Sequence, residues 1–279
     1  MQKRVAAIHD ISCFGKCSIT VALPLISAAG IETAIIPTAI LSTHTAGFKD
    51  YTFRDLTDDI IPIAKHWESE GITVDAVYSG YLGSKEQVGI LMDSIKYMKH
   101  DKTIFVVDPV MADHGVLYGG FAPDFPMEMK KLCAVADIIT PNITEACFMT
   151  GIEYKAPPYS KDYIENLVYA LAKITKGKIV LTGVAFTEEE MGAACYENGE
   201  IKYVFSKKVD ALYHGTGDIF TSTLTAAILN GKSLDASTKL ASDFTADCIK
   251  FTKENYPEMT YGVNFEAKLP TLIKMLGLE

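Results

Sequence analysis

Short apolar runs alternate along the chain with longer segments whose apolar positions recur every three or four residues. The first kind reads as a buried strand and the second as a helix packing one face. Strands are predicted over 5–8, 31–36, 74–79, 103–107, 137–140 and 178–181. Helices are predicted over 18–29, 53–70, 85–99, 125–135, 144–150 and 161–175, with two long helices and a short one closing the chain. Pro24 should kink the first helix or mark a late start, Gly30 is placed to cap it, and Pro37 should end the second strand. Residues 9–16 and the polar run 42–47 read as loops, the latter exposed. Segments 193–196 and 201–205 flank Glu197-Asn198-Gly199-Glu200, where Asn-Gly signals a hairpin.

Strands alternating with helices predict an α/β fold: a doubly wound, mostly parallel sheet with an antiparallel hairpin towards one edge. No repeat, low-complexity tract or linker breaks the pattern, so a single domain over 1–279 is expected. Polar or glycine-rich clusters follow the strands: Asp10-Ile11-Ser12, Gly80-Tyr81, Asp108-Pro109, Thr140-Pro141-Asn142 and Thr182-Gly183. In such sheets the ligand crevice lies at the carboxyl ends of the strands, so these clusters should meet on one rim. Asp108 before Pro109 reads as a strand terminator and stays outside the catalytic set.

The net charge of -9 argues against nonspecific nucleic-acid binding, which needs lysine and arginine to neutralise phosphates. It does not exclude small anions, which a few backbone amides can hold locally. No segment reaches the length of a membrane span, and the first apolar run is too short for a signal peptide. Six scattered cysteines, none in a CxxC pair, make a zinc site unexpected and suit reduced thiols in a cytoplasmic protein. Cys13 and Cys17 flank a ligand loop, but a catalytic thiol is not expected there.

The stretch His214-Gly215-Thr216-Gly217-Asp218 precedes a helical apolar pattern. Its glycines allow a tight turn, and the amides opening a helix lack internal partners and favour an anion. A phosphate is a natural guest, and the carboxylate of Asp218 stands close enough to take a proton from a hydroxyl. An anion hole beside a base can move a phosphoryl group onto an alcohol. The same letters also suit an ordinary helix cap.

Asp108-Pro109-Val110-Met111-Ala112-Asp113, the segment from Asp137 through Thr140-Pro141-Asn142 to Glu145-Ala146, Thr182-Gly183 and Gly215-Thr216-Gly217-Asp218 together resemble the ribokinase-like superfamily. Leu41-Ser42-Thr43-His44-Thr45-Ala46-Gly47 and Ser79-Gly80-Tyr81-Leu82-Gly83-Ser84 make the chain similar to the vitamin B6 kinases within it. The resemblance implies a three-layer fold with a small lid, a cytoplasmic homodimer, and ATP-dependent phosphorylation of a hydroxymethyl group. It assigns the base to Asp218 and the anion hole to Gly215, Thr216 and Gly217. It places Asn142, Glu145, Asp113 and Thr182 by the nucleotide phosphates, Glu145 and Asp113 serving Mg²⁺ mainly through water, with K⁺ as a further candidate cofactor. Asp10, Ser12, His44, Thr45 and Tyr81 fall where these kinases hold the pyridine ring. Read without the resemblance, Glu145 is a plain acid at the third position of a helix capped by Asn142. Ala112 stands where the family usually has glycine, and Gly183 where it often has serine.

Two rivals remain. One is hydroxymethylpyrimidine kinase of thiamine synthesis, against which the first loop His9-Asp10-Ile11-Ser12-Cys13 and the presence of Asp218 both count. The other is a non-enzymatic sensor, which would have no use for a base at Asp218.

Overall fold

A computed structural model describes residues 2–279. A nine-stranded sheet runs through it. Its strands are β1 (Arg4–Ser12), β2 (Glu32–Leu41), β3 (Phe53–Asp55), β4 (Ala76–Ser79), β5 (Ile104–Val107), β8 (Ile138–Ile139), β9 (Lys178–Val184), β10 (Glu190–Glu197) and β11 (Glu200–Lys207). The remaining pair, β6 (Ala112–Asp113) and β7 (Val116–Leu117), forms a separate small hairpin. The helices are α1 (Ile19–Ala28), α2 (Thr57–Ser69), α3 (Lys85–Ser94), α4 (Phe125–Ala134), α5 (Ile143–Thr150), α6 (Lys161–Leu171), α7 (Thr216–Leu229), α8 (Leu234–Asn255) and α9 (Leu269–Leu276).

The sheet order is β11-β10-β9-β8-β5-β4-β1-β2-β3, parallel from β9 to β2 and antiparallel at both edges. Alternate side chains of one strand serve opposite cores, as strand geometry dictates. From β1, Ala6 and Ile8 enter a core with Ile60 of α2, Leu91 of α3, Leu132 of α4 and Leu167 of α6. Val5 and Ala7 enter the other, with Leu25 of α1, Ile219 of α7 and Phe244 of α8. Helices therefore cover both faces, giving the three layers expected. Among the described residues no helix is long and apolar enough to cross a membrane.

Local pattern misreads four places. Pro37 does not end β2: the strand continues to Leu41, with Pro37 opposite His9 just where the β1–β2 pairing shifts register. A proline has no amide to donate, and such an irregularity is where a strand tolerates one. Phe53 does not open a helix. Residues Phe53–Asp55 pair with β2, and Asp55 then accepts the Thr57 amide at 2.7 Å as the chain turns into α2. The run 42–47 is not uniformly exposed, because His44 is buried. Helix 85–99 also ends early, passing at Ile95–Tyr97 into a 3₁₀ turn.

The next polar residue of β1 after Ile8 is also buried. The His9 ring packs edge-on against Tyr78 at 4.4 Å between centroids and lies against Gly80, where any Cβ would stand 2.4 Å from the ring. Among the described residues neither ring nitrogen has a hydrogen-bond partner, and burial pushes its pKa down to about 3.

Candidate active site

The strand-end clusters converge around the start of α7. Gly215 caps that helix with φ 78°, and a Cβ there would come within 1.9 Å of the Lys16 carbonyl oxygen. Only glycine meets both the left-handed backbone and the close approach. Thr216, Gly217 and Asp218 form the first turn, whose amides have no partner within the helix. Asp218 Oδ2 accepts the Ser18 amide at 2.9 Å, which ties the α7 turn to the loop after β1. Burial raises the Asp218 pKa to about 7; the Ser18 amide opposes that rise, and the nearby charge of Asp10 adds to it.

Asp108, read from sequence as a strand terminator, belongs beside it. It is buried at the end of β5, its Oδ2 3.8 Å from the point where a Gly217 Cβ would lie. Thr221 Oγ1 donates to Asp108 at 3.1 Å, and the Thr140 hydroxyl lies 3.1 Å from that of Thr221. Burial, then the charge of Asp218, raises the Asp108 pKa. The cue available in the sequence was its place in a strand-end cluster.

On one side lie the residues that the sequence assigned to an acceptor. Asp10 is buried, with Oδ2 accepting Ser12 Oγ at 2.8 Å and Oδ1 accepting the Ser18 hydroxyl. His44 Nε2 donates to the Tyr261 carbonyl at 3.0 Å, and burial lowers its pKa. Tyr81 packs its ring 5.6 Å from that of Phe121; burial, then Asp10, pushes its hydroxyl up to about 12. Thr45 is exposed on the loop beyond His44.

On the other side lies α5. Asn142 Oδ1 accepts the Glu145 amide at 2.9 Å, and Glu145 Oε2 accepts the Asn142 amide at 2.8 Å, a reciprocal capping box. Glu145 Oε1 also accepts the Met111 amide at 3.1 Å, and Asn142 Nδ2 donates to the Ala112 carbonyl at 2.8 Å. The cap thus anchors the segment leading to the β6–β7 hairpin. That hairpin turns at His114 and Gly115, both with positive φ, and leaves Asp113 and Val116 exposed. Thr182 lies alongside, its main chain bridging to Asn142 and its hydroxyl donating to the Pro141 carbonyl at 3.3 Å.

Among the described residues no three His, Cys, Asp or Glu side chains form a ready-made metal cluster. Glu145 is nonetheless raised well above the usual carboxylate range by burial and then by the charges of Asp108 and Asp113. Both aspartates disfavour the charge on Glu145, carboxylate oxygens suit a hard cation, and Mg²⁺ keeps several waters and needs few carboxylates. The residue types therefore fit Mg²⁺, and Glu145, already bonded to two amides, would serve it through water. A cleft of about 700 Å³ lined by Asp137, Gly177, Lys178 and Asn198 lies at the amino ends of β8 and β9, away from this chemistry.

Comparison with known proteins identifies the family and the fold. A pyridoxine/pyridoxal/pyridoxamine kinase of Bordetella avium is 25% identical over 268 residues, covering 89% of this chain and 85% of that protein. A Bacteroides thetaiotaomicron structure named for a phosphomethylpyrimidine kinase, in a crystal form with pyridoxal, aligns at TM-score 0.91 and 33% identity over 98% of this chain and 96% of its own. Pyridoxal kinase from Lactobacillus plantarum aligns at TM-score 0.90 and 27% identity over 99% and 98%. Residues 19–263 match the phosphomethylpyrimidine kinase family, and the chain belongs to that family, with a ribokinase-like fold.

Proposed function

We propose that this protein is an ATP-dependent kinase of vitamin B6 salvage, transferring the γ-phosphoryl group to the 5′-hydroxymethyl of pyridoxal, pyridoxine or pyridoxamine. The observation that carries this reading is Asp218 in the same helical turn as the amides opening α7, with a pKa near 7. Its Oδ2 is engaged by Ser18, which leaves Oδ1 to accept the acceptor's proton. As the hydroxyl oxygen bonds to phosphorus, the bond from phosphorus to the ADP oxygen breaks and the proton passes to Asp218. Gly215, Thr216 and Gly217 present amides to the charge on the migrating group, where fixed dipoles act with little reorganisation. Mg²⁺, when bound, neutralises phosphate charge; Asp108 and Asp113 would hold it directly and Glu145 through water. Asn142 and Thr182 shape the nucleotide side, and K⁺ is a candidate second cation there. Asp10, Ser12, His44, Thr45 and Tyr81 line the acceptor side.

Similarity to named pyridoxal kinases over most of the chain supports the B6 substrate. The family name favours a second reading, phosphorylation of hydroxymethylpyrimidine. An ATP-coupled assay with the three vitamers and hydroxymethylpyrimidine decides between them. Turnover of a vitamer at the higher kcat/KM supports the first reading; turnover of the pyrimidine alone replaces it. A homodimer and a cytoplasmic location complete the proposal, and sedimentation velocity tests the former.

A further inference from the structure

Ser18 stands at φ 55°, ψ -129°, a conformation glycine adopts and side-chain-bearing residues avoid. It sits at the N-cap of α1, yet its hydroxyl makes no bond to the helix amides. The hydroxyl donates instead to Asp10 Oδ1, while the amide donates to Asp218 Oδ2 at 2.9 Å. Its carbonyl accepts the amides of Val21 and Ala22 at 3.1 and 2.9 Å, so α1 itself holds the residue in place. A glycine would fit this backbone but lose the bond to Asp10. A serine with ordinary negative φ would cap α1 and turn its donors away from one carboxylate or the other.

We propose that Ser18 is a positioning residue, held in a glycine-type backbone so that it fixes Asp10 and Asp218 relative to each other and couples the acceptor pocket to the base. The naming of pocket and base rests on the kinase reading; the coupling itself rests on the two hydrogen bonds. Two carboxylates near one another repel, and a donor to each lowers the cost of ionising both. Asp10 is also faced by His44, Tyr81 and Cys17. Asp218 is faced by Cys17, Asp108, Tyr78 and Tyr118. Among the described residues none of these donates to either carboxylate, whereas Ser18 donates to both and Ser12 to Asp10.

The test compares Ser18→Gly and Ser18→Ala with wild type by NMR titration of ¹³C-labelled aspartate carboxyls, assigned with Asp10→Asn and Asp218→Asn. Without the hydroxyl, Asp10 should titrate at higher pH. Its lost charge should then let Asp218 titrate at lower pH, and Ser18→Gly should melt above Ser18→Ala because it sheds the strain. With an active substrate, the acceptor KM should rise about tenfold, the scale of one lost hydrogen bond to a charged group, with the ATP KM unchanged. The acid limb of kcat/KM should also move to lower pH. Unmoved titrations of Asp10 and Asp218 in both variants would overturn the proposal, whatever the substrate. Moved titrations in a protein that phosphorylates no vitamer would sink the B6 reading and leave the coupling standing.

Discussion

As the proposed base, Asp218 would have to be ionised to work, yet its surroundings resist the charge. With burial lifting its pKa from 3.8 to about 7, kcat/KM should fall as pH drops below 7 and the base takes up a proton. Asp218→Asn should keep its affinity for ATP and lose about two to four decades of turnover, read by single-turnover kinetics. The sign for stability runs the other way. A carboxyl with a raised folded-state pKa contributes most below its ordinary value and loses that contribution as pH rises through 7. Asp218→Asn should therefore gain on wild type in thermal melts at pH 8, with the gain vanishing near pH 4. Sequence alone marked Asp218 as a candidate because glycines, helix start and acid lie within four consecutive residues. Asp108 was not legible in that way: what makes it part of the site is its burial against Gly217 and Thr221, contacts more than a hundred residues away along the chain.

Two helix starts carry the site, and each depends on one replaceable feature. At α7, Gly215→Ala would need a left-handed backbone costing about 1–2 kcal/mol. It would also need a shift of the Lys16 carbonyl that stands 1.9 Å from the new Cβ. Nucleotide affinity by calorimetry should fall along with the melting temperature. At α5, Asn142→Ala removes the acceptor for the Glu145 amide and the donor to Ala112. Loss of such a cap costs about 0.5–2 kcal/mol, and here it should also loosen the β6–β7 hairpin, seen as faster amide exchange over 112–117. The Asn142–Glu145 cap was readable, since its spacing is a local signature. The ends of β2 and α2 were not. Pro37 and Phe53 behave according to their β-sheet neighbours, and propensity sees only the chain on either side. His44 was misread as exposed for a similar reason: it packs beneath Gly15 and bonds to Tyr261, residues brought in by the fold.

The alternation of strand and helix made the parallel sheet and its polar rim legible from one end of the chain to the other. The antiparallel β3 edge was not, because a three-residue strand leaves no periodic trace. A crevice assembled from five strand ends should respond as a unit when filled. ATP with Mg²⁺ at about a hundred times its dissociation constant should stabilise the fold by about 2.7 kcal/mol in a melting assay. EDTA should abolish turnover while leaving the melt of the free protein unchanged. The unpartnered ring of His9 has a consequence at this scale too. Folding keeps that imidazole uncharged until about pH 3, whereas an unfolded chain would protonate it near 6.5. Souring the solution therefore rewards the open chain at His9 while it favours the closed one at Asp218. Replacing His9 with glutamine should leave a protein that outlasts the original the more acid the buffer becomes.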